Sequence, residues 1–338
     1  MGKEHSTRYR YVGKRLVRNM YSPLGTLLVP IHTVLSPKEI DTLFRQGVLL
    51  HDEDVEDVAI LHLVDAAISE IRDIFQSARH SDRISFEAIR ERILPVVLLM
   101  SLHPDISRIL AHLEKHDEYL YRHSIGVALL SKMIGSASGY QGDELTELIT
   151  SAFLHDIGKS RIPLDILNKP GALTAEEFEC VKKHTIYGYE LIRQSPGLDE
   201  NHALVALQHH EREDGSGYPY GLKGDATLRN SKIVAVADVF HAMISKRVYK
   251  SSVSFYQVLQ EMSRNAFGAL EPEITLNFMK RIMDLLIGNT VLLSNGSEAK
   301  IVMVSPHDPV NPLVEANGMY IDLSKEKQIV LERILSTG

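Results

Sequence analysis

Seven side chains of metal-ligand type recur along this chain in strongly apolar or tightly turned surroundings: His123, His155, Asp156, His184, His209, His210 and Asp238. Asp238 sits in the run KIVAVADVF, where a carboxylate must be paired, protonated or metal-bound, because an unpaired buried charge is costly. His123 interrupts an apolar stripe of Leu120, Val127, Leu130 and Ile134 at three/four spacing. Taken singly, each has an ordinary reading: a salt bridge for the aspartate, a hydrogen-bonded core ring for the histidine. The pair His155-Asp156 in SAFLHDIGKSRIP is more pointed. Neighbouring helix positions point about 100° apart, so both reach one ion only near a helix end, and Gly158 supplies that end. One carboxylate has two oxygens and bridges two metals held ~3.5–4 Å apart. The imidazole-rich set suits iron, manganese, zinc or nickel better than calcium or magnesium.

Two close divalent ions lower the pKa of a bridging water and stabilise charge on an in-line phosphoryl transition state. Lys159, three residues beyond Asp156, is placed to hold a phosphate oxygen or assist a leaving group; otherwise it is a solvated helix-end lysine. Arg247 and Lys250 follow the Asp238 helix in SKRVYK, and Arg212 lies in HHEREDGSGYP, three further cations that a phosphate could meet. That last stretch, His209 to Pro219, is either a polar surface loop or one wall of the site.

The elements that must position these residues are mostly helices. From about 105 to 287 the pattern is almost wholly helical, giving a mainly α fold. One helix carries His123. A second runs through Leu148 and Ala152 to His155, and a third, capped at Thr174-Ala175-Glu176-Glu177, carries His184. A fourth, through Leu204 and Leu207, leads into His209-His210, and residues 232–244 are apolar nearly all round and therefore buried. Upstream, residues 8–35 suggest short strands around Pro23-Leu24-Gly25. A capping box at Ser36 with Glu39 opens a short helix, and 53–79 and 85–100 read as helices, the second kinked or interrupted at Pro95. Downstream, VLLSNGSEAKIVMV is a hairpin around Asn-Gly and VNPLVEANGMYIDL is further strand. The expected division is an N-terminal α/β module over 1–104, a helical bundle over 105–287 and a β-rich appendage over 288–338.

The 338 residues carry a formal net charge of -7, which argues against a general nucleic-acid-binding surface. The lone Cys180 excludes an internal disulfide and a cysteine metal site. No apolar run approaches the ~18 residues of a membrane span, and the basic N-terminus has no apolar core to make it a secretory signal. These features read as a cytoplasmic protein. Sixteen histidines are high for this length, which directs attention back to the ligand set.

The segments HSIGV, FLHDIGKSRIP, ILNKPGALTAEEF, HHEREDGSGYPYGLKG and VADVFHAMISKRVY, in this order, resemble the HD-GYP domain, a subgroup of the HD metallohydrolases that hydrolyses the bacterial second messenger cyclic di-GMP. The likeness covers roughly residues 105–280. It implies an HD-type helical bundle in which His123, His155, Asp156 and Asp238 hold one metal, and Asp156 bridges to a second held by His184, His209 and His210. It further implies iron or manganese, a lysine (Lys159) near the scissile phosphate, and phosphate contacts from Arg247 and Lys250. Asp214 to Pro219, with Gly217 and Tyr218, would form the rim. The products implied are linear pGpG and, in some members, GMP, formed by attack of a metal-bridging hydroxide.

Three departures from the family pattern matter. Tyr119 stands where some members carry a glutamate for a third metal, which points to a two-metal site, with Glu118 next door. His241 replaces the usual aspartate one turn after Asp238, and Val248 replaces a proline between Arg247 and Lys250. The rival readings are a cyclic di-GMP receptor without useful turnover and a hydrolase for a mixed cyclic dinucleotide. The N-terminal region resembles the short modules that precede some HD-GYP domains. Its partner readings are a homodimer, or a signalling protein docking there or on the Gly-Tyr-Pro loop.

Overall fold

A computed structural model describes residue 11 and residues 13–57, 60–103, 106–113, 118–247, 255–265, 268–326 and 328–336. At the N-terminus β1 (Lys14–Leu16) pairs antiparallel with β4 (Val55–Asp57), and β2 (Met20–Tyr21) pairs with β3 (Leu27–Val29) across the Pro23-Leu24-Gly25 turn. Between them α1 (Pro37–Arg45) starts at Ser36, with the capping box to Glu39 in place. These elements close over their own core of Leu16, Met20, Val29, Leu35, Ile40 and Leu43. The helix expected from 53 begins only at Ile60. Residues 52–54 form a single 3-10 turn whose buried Asp54 pairs with Arg18, and Val55–Asp57 bonds to β1 instead. A non-local ladder thus overrides the local pattern.

The helical body follows: α2 (Ile60–His80), α3 (Leu94–Met100), α4 (Ile106–Leu113), α5 (Tyr119–Ala137), α6 (Gly142–Leu154), α7 (Leu164–Leu167), α8 (Ala175–Lys182), α9 (His184–Arg193), α10 (Glu200–Gln208), α11 (Arg229–Arg247), α12 (Phe255–Asn265) and α13 (Pro272–Asp284). Ahead of α3 the chain runs through a π turn at Ile89–Ile93, so Pro95 sits in the first turn of a restarted helix, where its missing N–H costs nothing. Helix α5 is the centre of the body. It is buried along most of its length and packs against α6, α11 and α13. Helices α2 and α3, although upstream of His103-Pro104, share this core rather than that of the N-terminal strands.

One helix boundary differs from the sequence expectation in a way that matters for the site. The helix capped by Thr174 ends at Lys182, and His184 opens a separate helix. The break has a local cause. The His184 ring donates to the Val181 carbonyl (2.6 Å) and the Thr185 hydroxyl donates to the Lys182 carbonyl (2.9 Å), so side chains take acceptors that a continuous helix would use.

At the C-terminus five antiparallel strands are ordered β8-β7-β6-β5-β9. Here β5 (Thr290–Leu293) and β6 (Glu298–Met303) form the hairpin around Asn295-Gly296, followed by β7 (Leu313–Ala316) and β8 (Met319–Asp322). The last strand, β9 (Leu331–Ser336), pairs with β5 from far along the chain, a contact no local pattern announces. The Tyr256 hydroxyl on α12 donates to the Val310 carbonyl (2.5 Å), tying the sheet to the helices. Among the described residues no helix is long and apolar enough to cross a membrane.

Phe240, fully buried on α11, meets Phe278 of α13 edge-on with ring centroids 4.9 Å apart. Phe240→Ala is expected to cost about 3–5 kcal/mol of unfolding free energy, measured by urea titration followed by circular dichroism.

Candidate metal centre

The polar cluster forms where helix ends converge on α5 and α11. His123 projects from the second turn of α5 and Asp238 from the middle of α11. His155 terminates α6, and Asp156 lies in the turn after it. His184 opens α9, while His209 and His210 end α10. The 3-10 turn Ile157–Arg161 can lie this close to α9 only because residue 158 is glycine: a Cβ there would fall 1.9 Å from the His184 carbonyl oxygen. Helix ends are suited to this work, since adjacent residues there can converge on one point.

All seven sequence-predicted ligands come together. Their donor atoms fall into two groups, one of Asp156, His184, His209 and His210, the other of His123, His155 and Asp238. Asp156 joins them. Its Oδ1 lies 3.3 Å from His184 Nε2 and 3.8 Å from His209 Nε2, while its Oδ2 lies 3.3 Å from His155 Nε2 and 3.9 Å from His123 Nε2. Asp238 repeats the pattern at the open side, with Oδ1 at 2.9 Å from His123 Nε2 and Oδ2 at 3.8 Å from His210 Nδ1. His155, His184 and His209 are fully buried, whereas the His210 side chain is 18% exposed and marks the side from which solvent reaches the cluster.

The ring tautomers are set from behind. The Nδ1–H of His155 donates to the Ala152 carbonyl (2.7 Å), that of His184 to Val181 (2.6 Å) and that of His209 to Ala206 (2.9 Å). Each therefore turns its Nε2 inward, the arrangement that orients metal-ligating histidines, and in the neutral rings of His184 and His209 that nitrogen carries a lone pair. Burial depresses His184 to about 4. It likewise depresses His209 and His210 well below the usual imidazole range, helped by mutual repulsion among the rings. His155 moves the other way: burial opposes its charge, but the Asp156 carboxylate outweighs burial and raises it. Burial also works against both aspartates, yet Lys159 and His155 hold Asp156 far below the ordinary carboxylate range, and the bond to His123 does the same for Asp238.

Do these residues fit a pair of cations? His184 Nε2 and His209 Nε2 face each other at 3.4 Å, two lone pairs that repel unless a positive species lies between them. His155 Nε2 and Asp156 Oδ1 are buried with no hydrogen-bond partner. Buried polar atoms left in this way are rare and costly, and a divalent ion satisfies them. The donor set is compatible with a binuclear metal site.

The other expected residues divide. Lys159 Nζ is 2.6 Å from Asp156 Oδ2 and part-exposed, at the edge of the cluster. Tyr218 lies against His210, ring centroids 4.6 Å apart, and its amide donates to the His210 carbonyl. Gly217 crosses so close to the chain that a Cβ would come within 2.3 Å of the same carbonyl oxygen. Asp214 accepts from the amide and hydroxyl of Ser216, making the tight turn that leads to the half-buried Pro219. Arg212 is turned back onto the His209 and Glu211 carbonyls (3.1 and 2.9 Å) and braces the start of the loop. Arg247 ends α11; its side chain, together with Val248 and Lys250, lies outside the described residues.

Four contributors escaped the sequence reading or were left open by it. Glu211 is buried and accepts from the Tyr220 and Leu222 amides (2.8 and 2.9 Å), so one carboxylate pins the Gly-Tyr-Pro loop. Its place directly after His209-His210 was the available signal. Tyr119 stacks on His123 at 5.4 Å, and Glu118 is engaged by Arg72 (2.6 Å) instead of facing the cluster. His241 approaches His123, Nδ1 to Nδ1 at 3.1 Å, and Ser245 at 3.3 Å, bracing the ligand histidine rather than Asp238. Gly126 makes room for it, since a Cβ there would overlap the His241 ring.

The sequence profile described as the HD domain matches residues 107–274, the stretch that contains every one of these ligands. Residues 107–274 of the chain are thus similar to the HD domain. Within it, the segment His209 to Pro219 resembles the Gly-Tyr-Pro segment of the HD-GYP subgroup. Among curated proteins, a cyclic di-GMP phosphodiesterase of Thermotoga maritima is 42% identical over 168 residues, which are 49% of this chain and 46% of that protein. A 3'3'-cGAMP-specific phosphodiesterase 2 of Vibrio cholerae is 37% identical over 149 residues, 44% of this chain and 28% of that protein. The matched stretch thus spans less than half the length of either relative. The solved structure of Bd1817, an HDG"Y"P protein from Bdellovibrio bacteriovorus, superposes with a TM-score of 0.51 at 16% identity, covering 79% of this chain and 93% of that one. At that identity the likeness speaks for the fold alone, a mainly helical HD-type body.

Metal analysis of the anaerobically purified protein is expected to give about two divalent ions per chain, and Asp156→Asn is expected to lose both. Retention of two ions in that variant would overturn the bridging role. Glu211→Ala leaves two loop amides without their carboxylate, and a loss of about 2–4 kcal/mol in chemical denaturation is the expected result.

Proposed function

We propose that the chain is a metal-dependent phosphodiesterase that hydrolyses cyclic di-GMP to linear pGpG, and on to GMP where the linear product is retained. The observation that carries this reading is the Asp156 carboxylate, one oxygen toward each histidine group. Two divalent ions bound there supply a lowered water pKa and positive charge against a phosphoryl group. Iron or manganese is the proposed pair, with zinc and nickel also matched to the donors. We assign His123, His155, Asp156 and Asp238 to one ion and Asp156, His184, His209 and His210 to the other.

The chain's own side chains supply the rest. Lys159, at the cluster edge, exchanges its contact with Asp156 for a phosphate oxygen as substrate enters and stabilises charge that grows there. Tyr218, Gly217 and Pro219 line the rim beside the exposed edge of His210, where a phosphodiester approaches. Arg247 and Lys250 are assigned to the outer phosphate, and Arg212 and Asp214 to holding the loop in shape. Residues 1–104 are proposed as an accessory module whose helices α2 and α3 pack into the main core, 105–287 as the hydrolase and 288–338 as an appendage.

The names of the relatives support the substrate class, and the specificity of the Vibrio cholerae protein for 3'3'-cGAMP makes the mixed cyclic dinucleotide the second substrate to test. The manganese- or iron-loaded protein incubated with each dinucleotide and analysed by chromatography decides between them. Faster release of pGpG or GMP from cyclic di-GMP is expected. No product from either substrate with metals fully loaded would sink the enzyme reading in favour of a receptor. Lys159→Ala is expected to keep its metals and lose about 100-fold in kcat.

A further inference from the structure

A cavity of about 330 Å³ opens beside the opposite end of α5 from the metal centre. Lys132 of α5 and Arg281 of α13 both line it, together with His103, Ser136 and an apolar floor of Ile106 and Met133. Lys132 is nine residues along α5 from His123, about 13 Å by helical rise, so the two sites are distinct. No carboxylate is among the described residues that line it. Neither Lys132 nor Arg281 forms an ion pair among the described residues, whereas the adjacent Lys280 is held by Asp284 at 2.6 Å.

Two cations facing one recess, neither ion-paired among the described residues, are unusual in a chain with 44 acidic residues and a net charge of -7. Like charges held in partly desolvated surroundings repel, and such a pair is stabilised by whatever anion comes between them. The strain is visible at Lys132, whose ammonium is pushed below its ordinary value by burial and then by Arg281. The volume lies within the range of small-molecule sites, roughly 300–1,000 Å³, and exceeds what a bare ion needs. The mixture of paired cations, a hydroxyl and an apolar floor matches a molecule with an anionic head and an organic body.

We infer that this cavity is a second ligand site for a small phosphate-bearing molecule, with Lys132 and Arg281 sharing the phosphate and Ile106 and Met133 meeting the rest. Because Lys132 and His123 stand on one helix and Arg281 on a helix packed against it, an occupant there contacts the scaffold of the metal centre without touching a ligand residue.

The test is isothermal titration of the full, metal-loaded chain with inorganic phosphate and, separately, with GMP. Phosphate can also visit the metal centre, so each titration is repeated on Lys132→Gln/Arg281→Gln. The expected result is saturable binding that weakens about tenfold or more in the double variant, with an unchanged melting temperature. Similar affinity for both probes identifies free phosphate as the ligand, and tighter GMP identifies a phosphoester; either supports the site. No saturable binding of either probe, or the same affinity in the double variant, overturns it. Should the double variant fold poorly, the two single substitutions serve, each expected to weaken binding, and affinity unchanged in both overturns the proposal.

Discussion

One buried carboxylate organises this protein. Asp156 has each oxygen turned to a different pair of imidazoles, and among these fully buried groups Asp156 Oδ1 and His155 Nε2 are left without a hydrogen-bond partner. Burial and mutual repulsion hold His184, His209 and His210 below the usual imidazole range, while Asp156 and Asp238 are kept charged by their cationic and histidine neighbours. The cluster leaves buried polar atoms without partners as protein alone and is compatible with two divalent ions.

The helical body can be understood as the means of bringing helix ends to that carboxylate. Donors of His155, His184, His209 and His210 all come from termini, where neighbouring side chains converge and terminal carbonyls accept a ring N–H. Only His123 and Asp238 come from within long helices, and these are the helices buried deepest, α5 and α11. Close approach is purchased with glycine at Gly158 against α9, Gly217 against the His210 carbonyl and Gly126 against His241. The Gly-Tyr-Pro loop is held by the Glu211 carboxylate and by the packing of Tyr218 against His210.

The departures from the family pattern acquire physical content in the same way. Tyr119 takes the place of an additional carboxylate by stacking on His123, and Glu118, with its backbone in the left-handed region, is committed to Arg72. The neutral His241 fits where an acidic residue is usual because it serves the Nδ1 side of His123, not the metal side of Asp238.

Much of this was legible in the residues. A carboxylate inside KIVAVADVF, a histidine on an apolar stripe and a His-Asp pair at a glycine-terminated helix carry their meaning locally, because burial of polar groups demands partners whatever the fold. The helical periodicity, the capping boxes at Ser36 and Thr174 and the Asn295-Gly296 hairpin were likewise local. Tertiary structure alone decided the pairing of Val55–Asp57 with β1, the pairing of β9 with β5 and the packing of α2 and α3 into the main core, since each depends on contacts between residues far apart in the chain. It also decided which oxygen of Asp156 faces which rings and which partner Glu118 and His241 choose. Residue type and spacing determine that a metal centre is affordable; only the convergence of separate helix ends determines its geometry, because orientation at a distance of a few ångströms is a property of packing and not of sequence order.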